Sequence, residues 1–216
     1  MKHIDLHDLG RYSDVLLSRS GEVINLRFAE VADAGALQVY FRGLSPHSRY
    51  NRLMGAASEL PAGQLDRFTH VGEGDGFTLV ATTKRDGVEA IIGEARYAID
   101  DESDSLEIGL SVDDTMQGQG IGAALLGNLA CRAAALGAGR LFGDTLRSND
   151  AMLALARKAG FSFTPTPGDW KQIRFEKKIA FAPEDIPCAS WRLVAISASS
   201  DGQHGFSLRS AHSAIG

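Results

Sequence analysis

Hydrophobic and polar positions follow two different periods along this chain. Between Leu106 and Val112 they alternate. Leu106, Ile108, Leu110 and Val112 fall on one face, and Glu107, Gly109 and Ser111 on the other. Further on, Ile121, Leu125, Leu129, Ala133 and Leu136 recur at helical spacing before Gly137, which predicts an amphipathic helix over Ala123 to Leu136. The β-rich runs Phe77 to Thr83 and Ala90 to Ile99 flank Lys84-Arg85-Asp86-Gly87, where Asp-Gly signals a hairpin. Asp14 to Ser18 and Val23 to Phe28 flank Arg19-Ser20-Gly21-Glu22 and read as a second hairpin. Asp33 is placed to cap a helix carrying Leu37, Val39, Tyr40 and Phe41, broken at Ser45-Pro46-His47-Ser48. Short helical segments are predicted at Arg49 to Met54 and Leu65 to Val71, with a flexible turn at Gly72 to Gly76.

Arg140 to Leu146 reads as a strand. Ser148 or Asn149 then caps a helix bearing Met152, Leu155, Ala156 and Ala159, stopped by Gly160. Phe161 to Thr164 and Trp170 to Ile179 predict a closing strand pair. Beyond Ala180 the prolines and serines suggest an extended arm, with Trp191 to Ile196 as a candidate edge strand.

Composition narrows the function classes. The chain has 216 residues, 44% hydrophobic and 23% charged, which suits one domain with a full core and an appendage. A net charge of −5 argues against nucleic acid as a partner and suits a cationic acceptor such as an amine. The N-terminus MKHIDLHDLG has no apolar leader, and no apolar run approaches ~18 residues, so neither export nor a membrane partner is expected. Cys131 and Cys188 have neither metal-site nor disulfide spacing, so the expectation is a reducing cytoplasm with Cys131 as a small core residue. No metal site is expected.

The candidate chemistry centres on Gln117-Gly118-Gln119-Gly120-Ile121-Gly122, between the last alternating strand and the long helix. Glycines there bare the backbone N–H groups of a helix N-terminus, which is an anion and phosphate site. A P-loop is excluded because no Gly-Lys-Ser/Thr follows. Gly118, Gly120 and Ala123 satisfy a dinucleotide fingerprint, with Asp144 placed as the ribose carboxylate, but the preceding meander is foreign to that fold. A helix start with glycines for close packing alone is the third reading.

Gln117-x-x-Gly120-x-Gly122 also resembles the Gln/Arg-x-x-Gly-x-Gly/Ala signature of the GNAT superfamily of N-acetyltransferases. Asn149 to Phe161 is similar to that family's helix-and-strand segment, and Val23 to Ser48 to its first strand and helix. The order of elements agrees over residues 20–179. Leu44-Ser45-Pro46-His47-Ser48-Arg49-Tyr50-Asn51-Arg52 further resembles the bacterial protein-lysine acetyltransferases of the Pat-like branch, with Leu53 replacing the usual Phe. The resemblance implies an α/β (α+β) GNAT fold: a mixed, mostly antiparallel sheet of six to seven strands, flanked by helices and splayed at the cofactor site. It implies an N-terminal segment and hairpin strand over 1–22, an N-acetyltransferase domain over 23–180 and a C-terminal extension over 181–216.

On that resemblance the cofactor is acetyl-CoA or coenzyme A. The pyrophosphate falls to Gln117, Gly118, Gln119, Gly120, Ile121 and Gly122. The pantetheine arm falls to the backbone of Leu110 and Val112, where the family's strand bulges, and Asn149 matches a cofactor-contacting asparagine that also reads as an N-cap. Glu107, on the polar strand face beside Gly109 and Ser111, occupies the general-base position, with Glu94 in reserve. An amine of pKa near 10.4 needs such a base before it can attack. Arg49, Tyr50 and Arg52 border the acceptor site or pair with acids. Ala156 stands where many members carry the tyrosine that protonates the departing thiolate. The partners implied are acetyl-CoA and a primary amine, a protein lysine or a small molecule, and a homodimer is compatible. Two rival readings are a non-catalytic CoA-binding sensor and a nicotinamide-dependent oxidoreductase. The acidic run Asp100 to Asp104 reads as a solvated turn that also attracts basic acceptors.

Overall fold

The computed structural model describes residues 8–71, 76–100, 103–166 and 168–200. The predicted turn Gly72 to Gly76 lies largely outside them, as do Asp101 and Glu102 of the acidic run and the chain beyond residue 200. The strands are β1 (Asp14–Leu17), β2 (Val23–Phe28), β3 (Gly76–Arg85), β4 (Val88–Asp100), β5 (Ser105–Val112), β6 (Arg140–Leu146), β7 (Ser162–Pro165) and β8 (Gln172–Lys178). They form one sheet in the order β1-β2-β3-β4-β5-β6-β8-β7. The N-terminal hairpin pairs onto β3 through β2, so the sheet has eight strands where six to seven are expected.

Each turn follows from its residues. Asp86 and Gly87 both take positive φ, 53° and 80°, the geometry of the tight hairpin their sequence signals. Neighbouring strands are antiparallel except β5 and β6, joined by helix α4 (Ile121–Leu136). A single parallel pair within an antiparallel meander is not the alternating βαβ sheet a dinucleotide needs. The Asp144 carboxylate is engaged by Arg174 and Thr166. The nicotinamide reading falls with the topology.

Both faces of the sheet are covered. Helix α4 lies on one, where Leu125 and Leu129 join Ile24, Leu26, Tyr97 and Leu106 in a core. On the other, α1 (Ala34–Gly43) and α3 (Ala62–Thr69) bring Leu37, Phe41 and Phe68 against Val80 and Ile91. Helix α2 (Pro46–Leu53) follows the Ser-Pro break. Its N-cap Ser45 accepts from the Ser48 N–H, and Pro46 sits where a missing N–H costs nothing. Helix α5 (Asp150–Lys158) is capped by Asn149, whose Oδ1 accepts from the Met152 N–H at 3.2 Å.

Three local expectations are corrected. Asp33 sits at the N-cap position of α1 but its side chain does not cap the helix; its carboxylate accepts from Arg27 Nη1 and Nη2 at 2.7 and 2.9 Å. Residues Ala189–Ser200 form a helix, α6, rather than an arm or an edge strand. Its fully buried Trp191 stacks on Tyr12, and the buried Arg132 lies over the Trp191 ring at 4.4 Å. Finally, Cys131 of α4 and Cys188, just before α6, form a disulfide. Their sequence separation of 57 hides the pairing, which exists because α6 folds back onto α4. Cysteine usage therefore no longer argues for a reducing compartment. Among the described residues, no helix is long and apolar enough to cross a membrane.

Candidate active site

β5 and β6 pair only at Ser105↔Arg140, Leu106↔Leu141 and Glu107↔Phe142, and then diverge. Gly143 stands at the point of divergence. A Cβ there would lie 2.5 Å from the Ile108 carbonyl and 2.6 Å from the Phe175 ring, so only glycine fits. Beyond it the β6-facing edge of β5 has lost its ladder partner, which leaves backbone groups to be satisfied by something else. On the other side β4 stays in continuous register with β5 from Asp100↔Ser105 to Gly93↔Val112. The bulge expected near Leu110 is therefore absent, and the slot opens because β6 departs.

The open edge leads into a cavity of about 370 Å³. Leu110, Val112, Gln117, Gly118, Gly120, Gly122 and Asn149 all line it, so the sequence-predicted cofactor residues converge on one place. Gly118 and Gly120 take φ of 75° and 88°, the left-handed region that side chains avoid. A Cβ on Gly122 would meet Leu155 at 3.3 Å, so this glycine lets α5 approach the loop. Ile121 turns its side chain into the core, and the Gln119 carbonyl accepts from the Arg19 N–H. Gln117 donates from Nε2 to the Val112 carbonyl, closing the loop onto β5.

Arg19, Arg52 and Lys158 line this cavity, and among the described residues no carboxylate does. In a chain of net charge −5 that distribution favours an anionic ligand. A glycine loop at a helix start, an unpaired strand edge and flanking cations together fit a phosphorylated cofactor with an extended arm.

A smaller adjoining cavity of about 240 Å³ shares Asn51, Arg52, Leu110, Asn149 and Met152 with the first. Glu107 lines it, exposed, at the last residue of the parallel pairing. Glu94 differs in kind. It is fully buried, accepts from Arg52 Nη2 at 3.0 Å and Nε at 2.5 Å, and from Ser111 Oγ at 2.7 Å. Ser111 in turn contacts the buried Tyr40 hydroxyl at 2.9 Å. Burial, with the Glu94 charge nearby, pushes the Tyr40 hydroxyl well above its usual value. Gly109 makes room for this arrangement, since a Cβ there would meet the Arg52 guanidinium at 3.1 Å.

Of the three residues expected to border the acceptor or pair with acids, Arg52 alone lines the cavities, and it also pairs with Glu94. Arg49 is a loop clasp: its guanidinium donates to the carbonyls of Arg42 at 2.9 Å and Ala57 at 3.2 Å, and to that of Leu44. Tyr50 is exposed and lines neither cavity. Ala156 is fully buried and offers no proton donor. Sequence reasoning missed Arg19, His47, Ser48 and Lys158, which also line the larger cavity.

This geometry agrees with the comparisons to known proteins. The model of the acetyltransferase (GNAT) family matches residues 46–161. The chain belongs to the GNAT acetyltransferase family. As a member it is an acyltransferase, and the family uses acetyl-CoA. The GNAT domain of Pat from S. lividans is 26% identical, with a TM-score of 0.70 over 82% of this chain and 99% of that one. Acetyltransferase PA5475 of Pseudomonas aeruginosa is 28% identical over 134 residues, 62% of this chain and 72% of its own length. RimL, a ribosomal-protein alpha-N-acetyltransferase solved in complex with coenzyme A, shares the fold at 19% identity, with a TM-score of 0.60 over 77% of this chain and 98% of that one.

Proposed function

We propose that this GNAT enzyme transfers the acetyl group of acetyl-CoA to a primary amine, with a protein lysine side chain as the acceptor. The observation that carries the reading is the split between β5 and β6, which opens beside the glycine loop with Glu107 at its closed end. The coenzyme supplies a thioester whose acyl carbon an amine can attack. Backbone N–H groups of Gln117 to Gly122 hold its phosphates, and the unpaired edge at Leu110 and Val112 holds its arm. Asn149, at the junction of the two cavities, positions the arm while capping α5. Glu107 takes the proton from the incoming ammonium, directly or through water, and is reached from the smaller cavity. Backbone donors on the freed edge of β5 stabilise the oxyanion. With Ala156 in the tyrosine position, the thiolate leaves unassisted, which a thiol of pKa around 8.5 tolerates.

The lysine acceptor is supported by the 26% identity to the Pat domain, by the Leu44 to Arg52 segment, and by an open cavity of about 240 Å³ that suits one extended side chain. We take residues 23–180 as the catalytic domain. Release of the CoA thiol is the test, measured with acetyl-CoA against lysine-containing peptides and proteins, free amino acids and polyamines. Turnover with lysine side chains is expected. Turnover confined to small amines would remove the protein acceptor, and tight binding of acetyl-CoA without turnover on any amine would leave a cofactor sensor.

A further inference from the structure

The β1–β2 hairpin precedes the segment that matches the family model, yet its tip reaches the glycine loop. That tip is well fixed: the Ser18 N–H donates to the Glu22 carbonyl at 3.0 Å, the Gly21 N–H to the Ser18 carbonyl at 3.0 Å, and the Glu22 N–H to Ser18 Oγ at 3.0 Å. From it the Arg19 N–H donates to the Gln119 carbonyl at 2.9 Å, and Arg19 Nη1 to the Gly118 carbonyl at 3.2 Å. A trans peptide group is planar, with its N–H opposite its carbonyl. Two carbonyls bound by the hairpin therefore turn the N–H groups of Gln119 and Gly120 away from it. The Arg19 stem also lies along the loop, since a Cβ on Gly120 would meet its Cγ at 3.5 Å and its Nε at 3.7 Å.

Charge supports the same reading. Arg52 is engaged by Glu94, which leaves Arg19 and Lys158 as the cations that line the larger cavity without a carboxylate partner within salt-bridge distance among the described residues. Lys158 stands at the end of α5, with Leu155 and Ala154, whereas Arg19 touches the loop itself.

We propose that the N-terminal hairpin is part of the cofactor site, with the Arg19 guanidinium as the cationic partner of the coenzyme's diphosphate and its contacts orienting the loop's peptide groups. Arg19 is then a binding and positioning residue that lies outside the family-matched segment. The inference rests on the acetyl-CoA reading above.

Calorimetric titration of the full chain with CoA and with dephospho-CoA, for wild type, Arg19→Ala and Arg19→Lys, tests it. Arg19→Ala should weaken both ligands equally, by about tenfold or more, the scale of a charged hydrogen bond. Arg19→Lys should recover part of the loss. KM for S-acetylpantetheine, which has no phosphate, should stay unchanged in Arg19→Ala, whereas general damage to the fold would raise it. Equal CoA affinity in wild type and Arg19→Ala overturns the inference and leaves the acetyl-CoA reading standing. A penalty that disappears with dephospho-CoA also overturns it, by assigning the cation to the 3′-phosphate. Failure of wild type to bind CoA removes both.

Discussion

Glu94 and Glu107 sit on adjacent strands, and their surroundings give them different work. Both Glu94 oxygens already accept hydrogen bonds, from Arg52 and Ser111, and its side chain is fully buried. Removing that carboxylate would strand the Arg52 guanidinium, so Glu94 reads as a structural anchor. Glu107 is open to the smaller cavity. Glu107→Gln is expected to retain acetyl-CoA binding and to lose about 10²–10⁴-fold in amine acetylation near neutral pH. Its rate should recover partly as pH rises toward the amine's own pKa, and equal pH–rate profiles for the two proteins would remove Glu107 from the base role. At the glycine loop, Gly120→Asp forces a side chain into φ of 88° and sets a carboxylate beside Arg19. CoA affinity should fall at least about tenfold in calorimetry while the far-ultraviolet spectrum stays unchanged; undiminished affinity would move the diphosphate elsewhere.

Helix α2 is the element whose sequence signature gains a physical meaning. Ser45 and Ser48 read as a helix start, but they also clasp Asp114, in the turn that leads to the glycine loop. The Ser45 N–H lies 2.7 Å from Asp114 Oδ2, and the hydroxyls of Ser45 and Ser48 lie 3.0 and 2.6 Å from Oδ1. The Leu44 to Arg52 segment thus ties the smaller cavity, through Arg52, to the turn before the glycine loop, while Arg49 fastens the preceding loop. Because Asp114 is exposed, its replacement by alanine should cost only about 1 kcal/mol in urea unfolding. KM for acetyl-CoA should rise with it, since the loop loses its support. An unchanged unfolding midpoint and KM would show that the clasp is dispensable.

For the whole molecule, carboxylates set the acid limit of stability. Burial alone would raise Asp33, Asp114 and Asp144. Arg27, the pair Ser45 and Ser48, and Arg174 with Thr166 outweigh it and hold the three below the usual range. Glu89 is lowered by its hydrogen bond from Thr82. A carboxylate depressed in the folded state binds fewer protons there than in the unfolded chain. Its stabilisation is complete above the unfolded value, about 4, and is lost as pH falls through the folded one. Tm should therefore hold level from pH 7 to about 5 and drop below about 4. A scanning-calorimetry series that shows the loss already between pH 7 and 5 would assign acid sensitivity to other groups.

By itself the sequence determined what depends on local period and local chemistry. Alternation and β-rich runs marked strands, helical spacing marked α4 and α5, Asp86-Gly87 and Asn149 marked a turn and a cap, and the glycine loop with Glu107 marked the candidate site. These signals are legible because each arises from neighbours in the chain. Tertiary structure alone decided the rest. Glu94 and Glu107 both read as strand carboxylates until packing buried one against Arg52. Arg49 read as an acceptor-site or acid-pairing cation until the loop carbonyls closed around it. The serine-rich end became α6 because Trp191 and Cys188 find partners on α4 and near the N-terminus, far away in sequence. Arg19 gave no signal, since a turn arginine is ordinary until the sheet brings the hairpin tip to the glycine loop, 99 residues from Gly118. Contacts of that separation depend on strand order and layer packing, which no local window of sequence contains.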